Sequence, residues 1–155
     1  TEYVGSVKAE MCGFSYAYEK MVEKNIKADF NHVLEQCIKE AKWGHSEAQV
    51  ILGKVFSDGE YVEQDFLESA KWYRLATEQG HVRAPLLLAI IFAMGQGTEV
   101  NQVKAYMLAT ISANYREQDA NFIINLLAAD MTPSQISEAQ RLAKECLSNN
   151  FKECL

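Results

Sequence analysis

The four cysteines are the residues of this chain best suited to covalent chemistry. They are Cys12, Cys37, Cys146 and Cys154, and four cysteines permit three disulfide pairings. No pair has the C-x-x-C spacing of a zinc site, and no histidine stands near two of them, so a metal site is not expected. A chain reversal in the Ser-Asn-Asn segment after Cys146 would bring its sulfur close to that of Cys154. The alternative is four reduced thiols in a cytoplasmic protein, because cysteine packs well in cores.

Other candidates for chemistry lack the partners that a reaction needs. His45 and His81 follow equivalent glycines, which favours a structural role, and neither they nor His32 has an acid or nucleophile at a telling spacing. The Gly-Gln-Gly segment at 95–97 lacks the strand and lysine of a phosphate loop, and the Asp-Gly-Glu segment at 58–60 lacks the acidic ladder of a calcium loop. We therefore predict no catalytic residue, no cofactor and no metal. An envelope hydrolase with an unrecognised active site is the alternative.

The charge of the chain excludes one large class of partner. Its 155 residues carry a formal net charge of −6, and the lysines and arginines are scattered. Nucleic-acid binding needs clustered cations, so no nucleic-acid partner is expected. The acidic balance would suit a basic region on a partner protein, or would simply keep the chain soluble. No run of 18 apolar residues is present, so no membrane insertion is expected.

The elements that would position these residues come from a repeat of 36 residues. A shift of 36 carries several residues onto identical ones in a single register. The matches include Asp29-Phe30 with Asp65-Phe66, Gly44-His45 with Gly80-His81, Ala48 with Ala84, Leu52 with Leu88, Phe56 with Phe92, and Gly59 with Gly95. The register then slips by one, so that Trp72-Tyr73 corresponds to Met107-Leu108. Such a period indicates stacked structural units.

Each unit reads as two helices, and the fold class is all-α. Apolar residues at helical spacing predict helices at 46–57, 66–79, 83–94 and 102–114, with Ser46 and Asp65 as N-caps. Further helices are predicted at 12–24, 29–44, 119–129 and 132–149, the last with Thr132 as N-cap. The prediction is a single α-solenoid of stacked helix pairs. It divides into an N-terminal capping unit (1–44), two repeats (45–80 and 81–115) and C-terminal capping helices (116–155).

Residues 41–80 resemble the Sel1-like repeat, a relative of the tetratricopeptide repeat. The motif consists of Ala48-Gln49, Leu52-Gly53, Asp58-Gly59, Val62, Asp65, Ala70, Trp72-Tyr73, Ala76 and Gln79-Gly80. The second copy has Pro85 in place of the glutamine, Ala89 in place of the glycine and Asn101 in place of the aspartate. The resemblance implies an adaptor or scaffold, bacterial or eukaryotic, that binds a protein or peptide on the concave face of its superhelix. It does not name the partner.

The resemblance also bears on the cysteines. The spacing of Cys146 and Cys154 is similar to that of cysteine-rich bacterial Sel1-like proteins, whose cysteines bridge neighbouring helices, and Cys12 and Cys37 would then form the second bridge. Disulfides and many exported relatives imply a periplasmic or secreted protein with its signal peptide removed, with the cytoplasm as the alternative. Bridged ends favour a closed monomer over end-to-end stacking.

The predicted partner surface lies on the first helix of each pair and in the turns. The first repeat would contribute Gln49, Val50 and Lys54, and the second would contribute Leu86, Ile90 and Met94. Trp43 and Tyr61 are predicted contacts from the turns. An apolar strip of this kind suits a partner helix or an extended peptide, although the C-terminal helices would alternatively cover it. The expected function is that of an adaptor or inhibitor, for example of a toxin or of an envelope or secretion component.

Overall fold

A computed structural model of the chain describes Cys12 and residues 27–155. Within this part the structure contains seven α-helices and no β-strand, which confirms the all-α prediction. The helices are α1 (Lys27–Lys42), α2 (Ser46–Asp58), α3 (Phe66–Glu78), α4 (Ala84–Met94), α5 (Gln102–Asn114), α6 (Ala120–Ala128) and α7 (Pro133–Ser148). The helix predicted at 12–24 lies outside the described residues except for Cys12.

Consecutive helices pack against each other from α1 to α6, and α7 returns to pack on α5. Two clusters of buried side chains form along this stack. One contains Phe30, Leu52 and Trp72, and the other extends from Tyr73 through α4 and α5 to Cys146 in α7. Because neither helix of a pair can bury its apolar stripe alone, the stacking itself creates the core. The predicted α-solenoid is thereby confirmed.

The helix ends explain why the repeat keeps its register. Asp65 and Asn101 occupy the same repeat position, and their side chains accept hydrogen bonds from the backbone N–H of Glu68 and Lys104 at 3.0 and 2.9 Å. These caps satisfy N–H groups that the first helical turn leaves unpaired. Thr132 forms a full capping box at the start of α7, as its sequence predicts in part. The predicted cap at Ser46 is wrong, since Ser46 is the first helical residue and the N-cap is residue 45.

The 36-residue register continues into α6, beyond the two copies found in the sequence. Ala120 lies 36 residues after Ala84, as Ala84 lies 36 after Ala48, and all three side chains are fully buried at the start of α2, α4 and α6. A small residue at this position lets each first helix approach its neighbours closely. Helix α6 therefore begins in register with the first helices of the two repeats, whereas α7 begins 31 residues after α5.

His81 links two helix starts, which gives it a structural role. Its Nδ1 atom accepts hydrogen bonds from the backbone N–H groups of Arg83 and Ala84, both at 3.2 Å, at the start of α4. The other ring nitrogen, Nε2, must then carry the proton, and it lies 3.0 Å from Glu47 Oε2 in the first turn of α2. One imidazole thus caps α4 and ties it to α2.

Replacing His81 with alanine is expected to lower the free energy of unfolding by about 1 kcal/mol, the usual effect of losing a cap. His45 occupies the equivalent repeat position but is exposed and makes no side-chain cap bond. His45→Ala is therefore the matched control and should change stability by less than about 0.5 kcal/mol. Urea unfolding followed by circular dichroism measures both. Equal losses in the two variants would contradict the capping role.

Candidate functional site

The helices α2, α4 and α6 carry equivalent positions of the 36-residue register. The 36-residue register places Val50, Leu86 and Phe122 at one equivalent position of α2, α4 and α6. The next turn of each helix carries Lys54, Ile90 and Leu126 at another. Residues four apart on a helix lie on the same side. The positions predicted to contact a partner therefore recur on α6, beyond the two repeats.

The α6 end of this face exposes large apolar side chains. Phe122 is 70% exposed and Leu126 is 60% exposed, one helical turn apart. On α4, Met94 is 64% exposed and Ile90 is partly buried. We call Ile90, Met94, Phe122 and Leu126 the inner strip. Within the described part of the chain nothing covers Phe122 or Leu126, so this end of the strip is open to solvent.

Two residues predicted for the partner surface are buried, and their prediction as accessible contacts is wrong. Gln49 is 2% exposed because its Nε2 atom donates a hydrogen bond to the backbone oxygen of Ala41, at 3.0 Å. Leu86 is also 2% exposed and packs in the core that contains residues of α5, α6 and α7. At Leu86 the apolar strip is therefore buried in the core. The accessible apolar surface therefore lies on α6, one repeat closer to the C-terminus than the sequence predicts.

The other predicted contacts lie at or near the surface, and their role in binding stays a prediction. Trp43 is 74% exposed and makes an edge contact with the ring of His45. Lys54 is exposed, whereas Val50 is partly buried against the main core. Tyr61 is partly buried and stacks on Phe30, with ring centroids 4.7 Å apart. The structure therefore does not gather all eight predicted residues into one continuous surface.

Sequence reasoning missed Phe122 and Leu126, although the signal was present. Adding 36 to Leu86 and Ile90 gives these two positions directly. The second copy already lacks the Trp-Tyr pair, and residues 116–155 also lack the glycines of the two copies, so the repeat is hard to recognise beyond residue 115. The fully buried Ala120 is the landmark that remains.

Both disulfide pairings implied by the sequence are present. Cys12 is joined to Cys37 on α1, with their Cα atoms 4.1 Å apart. Cys146 near the end of α7 is joined to Cys154, with Cα atoms 5.5 Å apart. No cysteine is left free. The bridges lie at the two ends of the described stack, where a helix has a neighbour on one side only.

Two buried groups have shifted pKa values, and packing explains both. Burial raises the pKa of Tyr73, whose hydroxyl interacts with Ser57 and Ser69. Burial also lowers the pKa of Lys104, and the charge of Arg74 lowers it further. The ammonium of Lys104 lies 4.7 Å from the centre of the Phe92 ring. Among the described residues no group of His, Cys, Asp or Glu could hold a metal ion.

Comparison with known families identifies the repeat. The Sel1 repeat model matches residues 46–81 and 84–114, which are the pairs α2–α3 and α4–α5 with their turns. Two consecutive segments of the chain thus match the Sel1 repeat. The match ends at Asn114, so α6 and α7 lie outside the matched segments, although Ala120 continues the 36-residue register.

Solved structures of Sel1-like repeat proteins share this arrangement. A protective antigen present in uropathogenic Escherichia coli strains, which displays an SLR fold, is 27% identical over 79% of this chain, with a TM-score of 0.73. A Sel1 repeat protein from Oxalobacter formigenes is 23% identical over 79% of the chain, with a TM-score of 0.61. The aligned region spans 26% of the first protein and 58% of the second. No functionally curated protein matches the sequence.

None of the described helices is both long enough and apolar enough to cross a lipid bilayer.

Proposed function

We propose that this Sel1-repeat chain is an adaptor or inhibitor that binds a segment of one partner protein along the inner strip. Sel1 repeats generally mediate protein–protein interactions. The observation that carries the finer proposal is the exposure of Phe122 and Leu126, at 70% and 60%, on equivalent positions of the repeat face. Large apolar side chains grouped on one surface are typical of interaction sites.

The geometry of the strip favours an amphipathic helix as the bound segment. Phe122 and Leu126 project from one side of α6 at a spacing of one turn, and Met94 provides a flexible apolar contact at the end of α4. A partner helix with apolar residues at intervals of three and four would match this spacing. The net charge of −6 would attract a segment whose other side is basic, and would speed the encounter.

A double substitution on α6 tests the proposal. Phe122→Glu with Leu126→Glu is expected to weaken partner binding by about 2 kcal/mol or more, since a buried aromatic anchor contributes that much at an interface. Both side chains are exposed, so the circular dichroism spectrum and melting temperature should remain those of the wild type. Immobilised wild type and variant are compared for the proteins that each retains from the native source, and the affinity for the retained protein is then measured.

Leu67→Glu supplies the matched control. Leu67 is 65% exposed on α3, which is a second helix and lies outside the inner strip. This variant should bind as the wild type does. Equal binding by the α6 double variant would exclude the inner strip as the binding surface, and equal losses in both variants would point to non-specific apolar adhesion.

The disulfides support the proposal of an exported protein, periplasmic or secreted, because such bonds persist in oxidising compartments. A toxin, an envelope or secretion component, and a host protein are the kinds of partner that such a location offers. Fractionation of the producing cells, followed by detection of the chain with and without reductant, tests the location. Recovery of the reduced chain from the cytoplasmic fraction would contradict it.

A further inference from the structure

A cavity of about 220 Å³ lies between α3 and α4 and shares no residue with the inner strip. Helix α3 contributes Lys71 and Arg74, which are three positions apart and therefore adjacent on the helix surface. Both side chains are exposed, so a small solute can reach their charged groups from solvent. The rest of the lining is apolar and consists of Leu67, Ala70, Leu88, Phe92 and Leu155.

The charges at this cavity are positive and only partly balanced. None of the described residues that line it is acidic. Lys71 pairs with Glu68 at 3.3 Å, but within the described part of the chain Arg74 forms no ion pair. The ammonium of Lys104, a partly buried residue, lies 4.7 Å from the centre of the Phe92 ring. Burial lowers the pKa of Lys104, and repulsion from Arg74 lowers it further. An anion bound at Arg74 would offset this repulsion.

The lining narrows the chemistry of the ligand. Since Lys71 already has an acidic partner, Arg74 can balance one negative charge, and its planar guanidinium matches a carboxylate through two parallel hydrogen bonds. Among the described lining residues no side chain can accept a hydrogen bond, so an N–H or O–H group of a sugar or a peptide would stay unpaired. At roughly 30 Å³ for each group the size of a water molecule, the cavity holds about seven non-hydrogen atoms.

We propose that this cavity binds a short-chain aliphatic carboxylate, whose carboxylate group pairs with Arg74 and whose hydrocarbon chain packs against Leu88 and Phe92. Leu67, which is 65% exposed, would lose contact with water against the bound chain, and this burial favours binding. The site shares no residue with the inner strip, so it adds a small-molecule binding activity to the proposed binding of a protein partner.

NMR titration of the full chain with hexanoate tests the proposal, because hexanoate has about the number of atoms that the cavity holds. The expected result is a saturable shift of the Arg74 Nε–H and Phe92 ring signals, with nuclear Overhauser effects between the hexanoate chain and that ring. Acetate keeps the charge without the chain, and hexanamide keeps the chain without the charge. Each should bind about tenfold more weakly than hexanoate, or weaker still. N-acetyl-leucine, which adds an amide N–H, should also bind more weakly than hexanoate.

Two variants complete the test. Arg74→Gln should weaken hexanoate binding about tenfold, whereas Lys144→Gln, the same change of charge at an exposed position of α7 outside the cavity, should leave it unchanged. If Arg74→Gln fails to fold by circular dichroism, the series of ligands on the wild type decides alone. Equal binding of hexanoate and hexanamide, equal losses in the two variants, or no saturable shift at Phe92 would overturn the proposal. Tighter binding of N-acetyl-leucine than of hexanoate would also overturn it, since a peptide terminus would then be the better ligand.

Discussion

Gly53→Ala is expected to lower the free energy of unfolding by about 2 kcal/mol, although alanine favours a helix over glycine by about 1 kcal/mol. A methyl group at this position of α2 would overlap the ring of Tyr73 on α3, whose Cδ1 atom would lie 2.5 Å away. The Tyr73 ring is buried and cannot move into solvent, so the two helices must separate. Ser69 Oγ, which donates to the Gly53 backbone oxygen at 2.6 Å, holds them at this short distance.

The second repeat shows what should relieve the clash. There the position of Gly53 is taken by Ala89 and that of Tyr73 by Leu108, and both are fully buried. In the second repeat, the larger residue on the first helix (Ala89 for Gly53) is thus accompanied by a shorter side chain on the second helix (Leu108 for Tyr73). In a Tyr73→Leu background, Gly53→Ala should become neutral or stabilising by up to about 1 kcal/mol. Urea unfolding of the four proteins in this cycle measures the coupling, and additive effects would contradict the account of this contact.

Removing the disulfides is expected to have the largest effect on stability. The Cys12–Cys37 bridge spans 25 residues and the Cys146–Cys154 bridge spans 8. Each bridge stabilises the fold by reducing the conformational entropy of the unfolded chain. Replacing the first pair with alanine should therefore lower the free energy of unfolding by about 3.5 kcal/mol, and replacing the second pair by about 2.5 kcal/mol. The combined loss of about 6 kcal/mol is comparable with the whole stability of a marginally stable domain, so the quadruple variant should melt at a much lower temperature than the wild type.

Mass spectrometry and unfolding measurements check this prediction. The native protein, kept free of reductant, should have four hydrogens fewer than its reduced form, because all four cysteines are paired. A reductant should lower the wild-type midpoint in urea and leave that of the quadruple alanine variant unchanged. Four thiols that react with an alkylating agent in the native protein would show that the bridges are absent.

Local signals in the sequence were sufficient for the helices and their ends. Asp65, Asn101 and Thr132 cap their helices through bonds to residues three positions away, so sequence spacing alone identifies them. The glycines at 59 and 95 end α2 and α4 with φ of 66° and 65°, a conformation that glycine tolerates best. The predicted ends of α2 to α7 therefore agree with the structure to within one residue.

Burial at the candidate site depended on neighbours that are distant in sequence. Periodicity places Leu86 and Phe122 at one equivalent position, but only the assembled stack shows that Leu86 is covered and Phe122 is open. Gln49 was predicted to face a partner because of its place on α2, yet it bonds to the Ala41 backbone oxygen near the end of α1.

Photo-crosslinking from position 122 is the most direct test of partner binding through the inner strip. Benzoylphenylalanine replaces Phe122 in one protein and the equally exposed Leu67 in another, and both are irradiated in extracts of the native source. The account predicts one dominant crosslinked protein from position 122, competed away by unlabelled wild type but not by the Phe122→Glu, Leu126→Glu variant. No such product from position 122, or the same product from position 67, would contradict the inner strip as the binding surface.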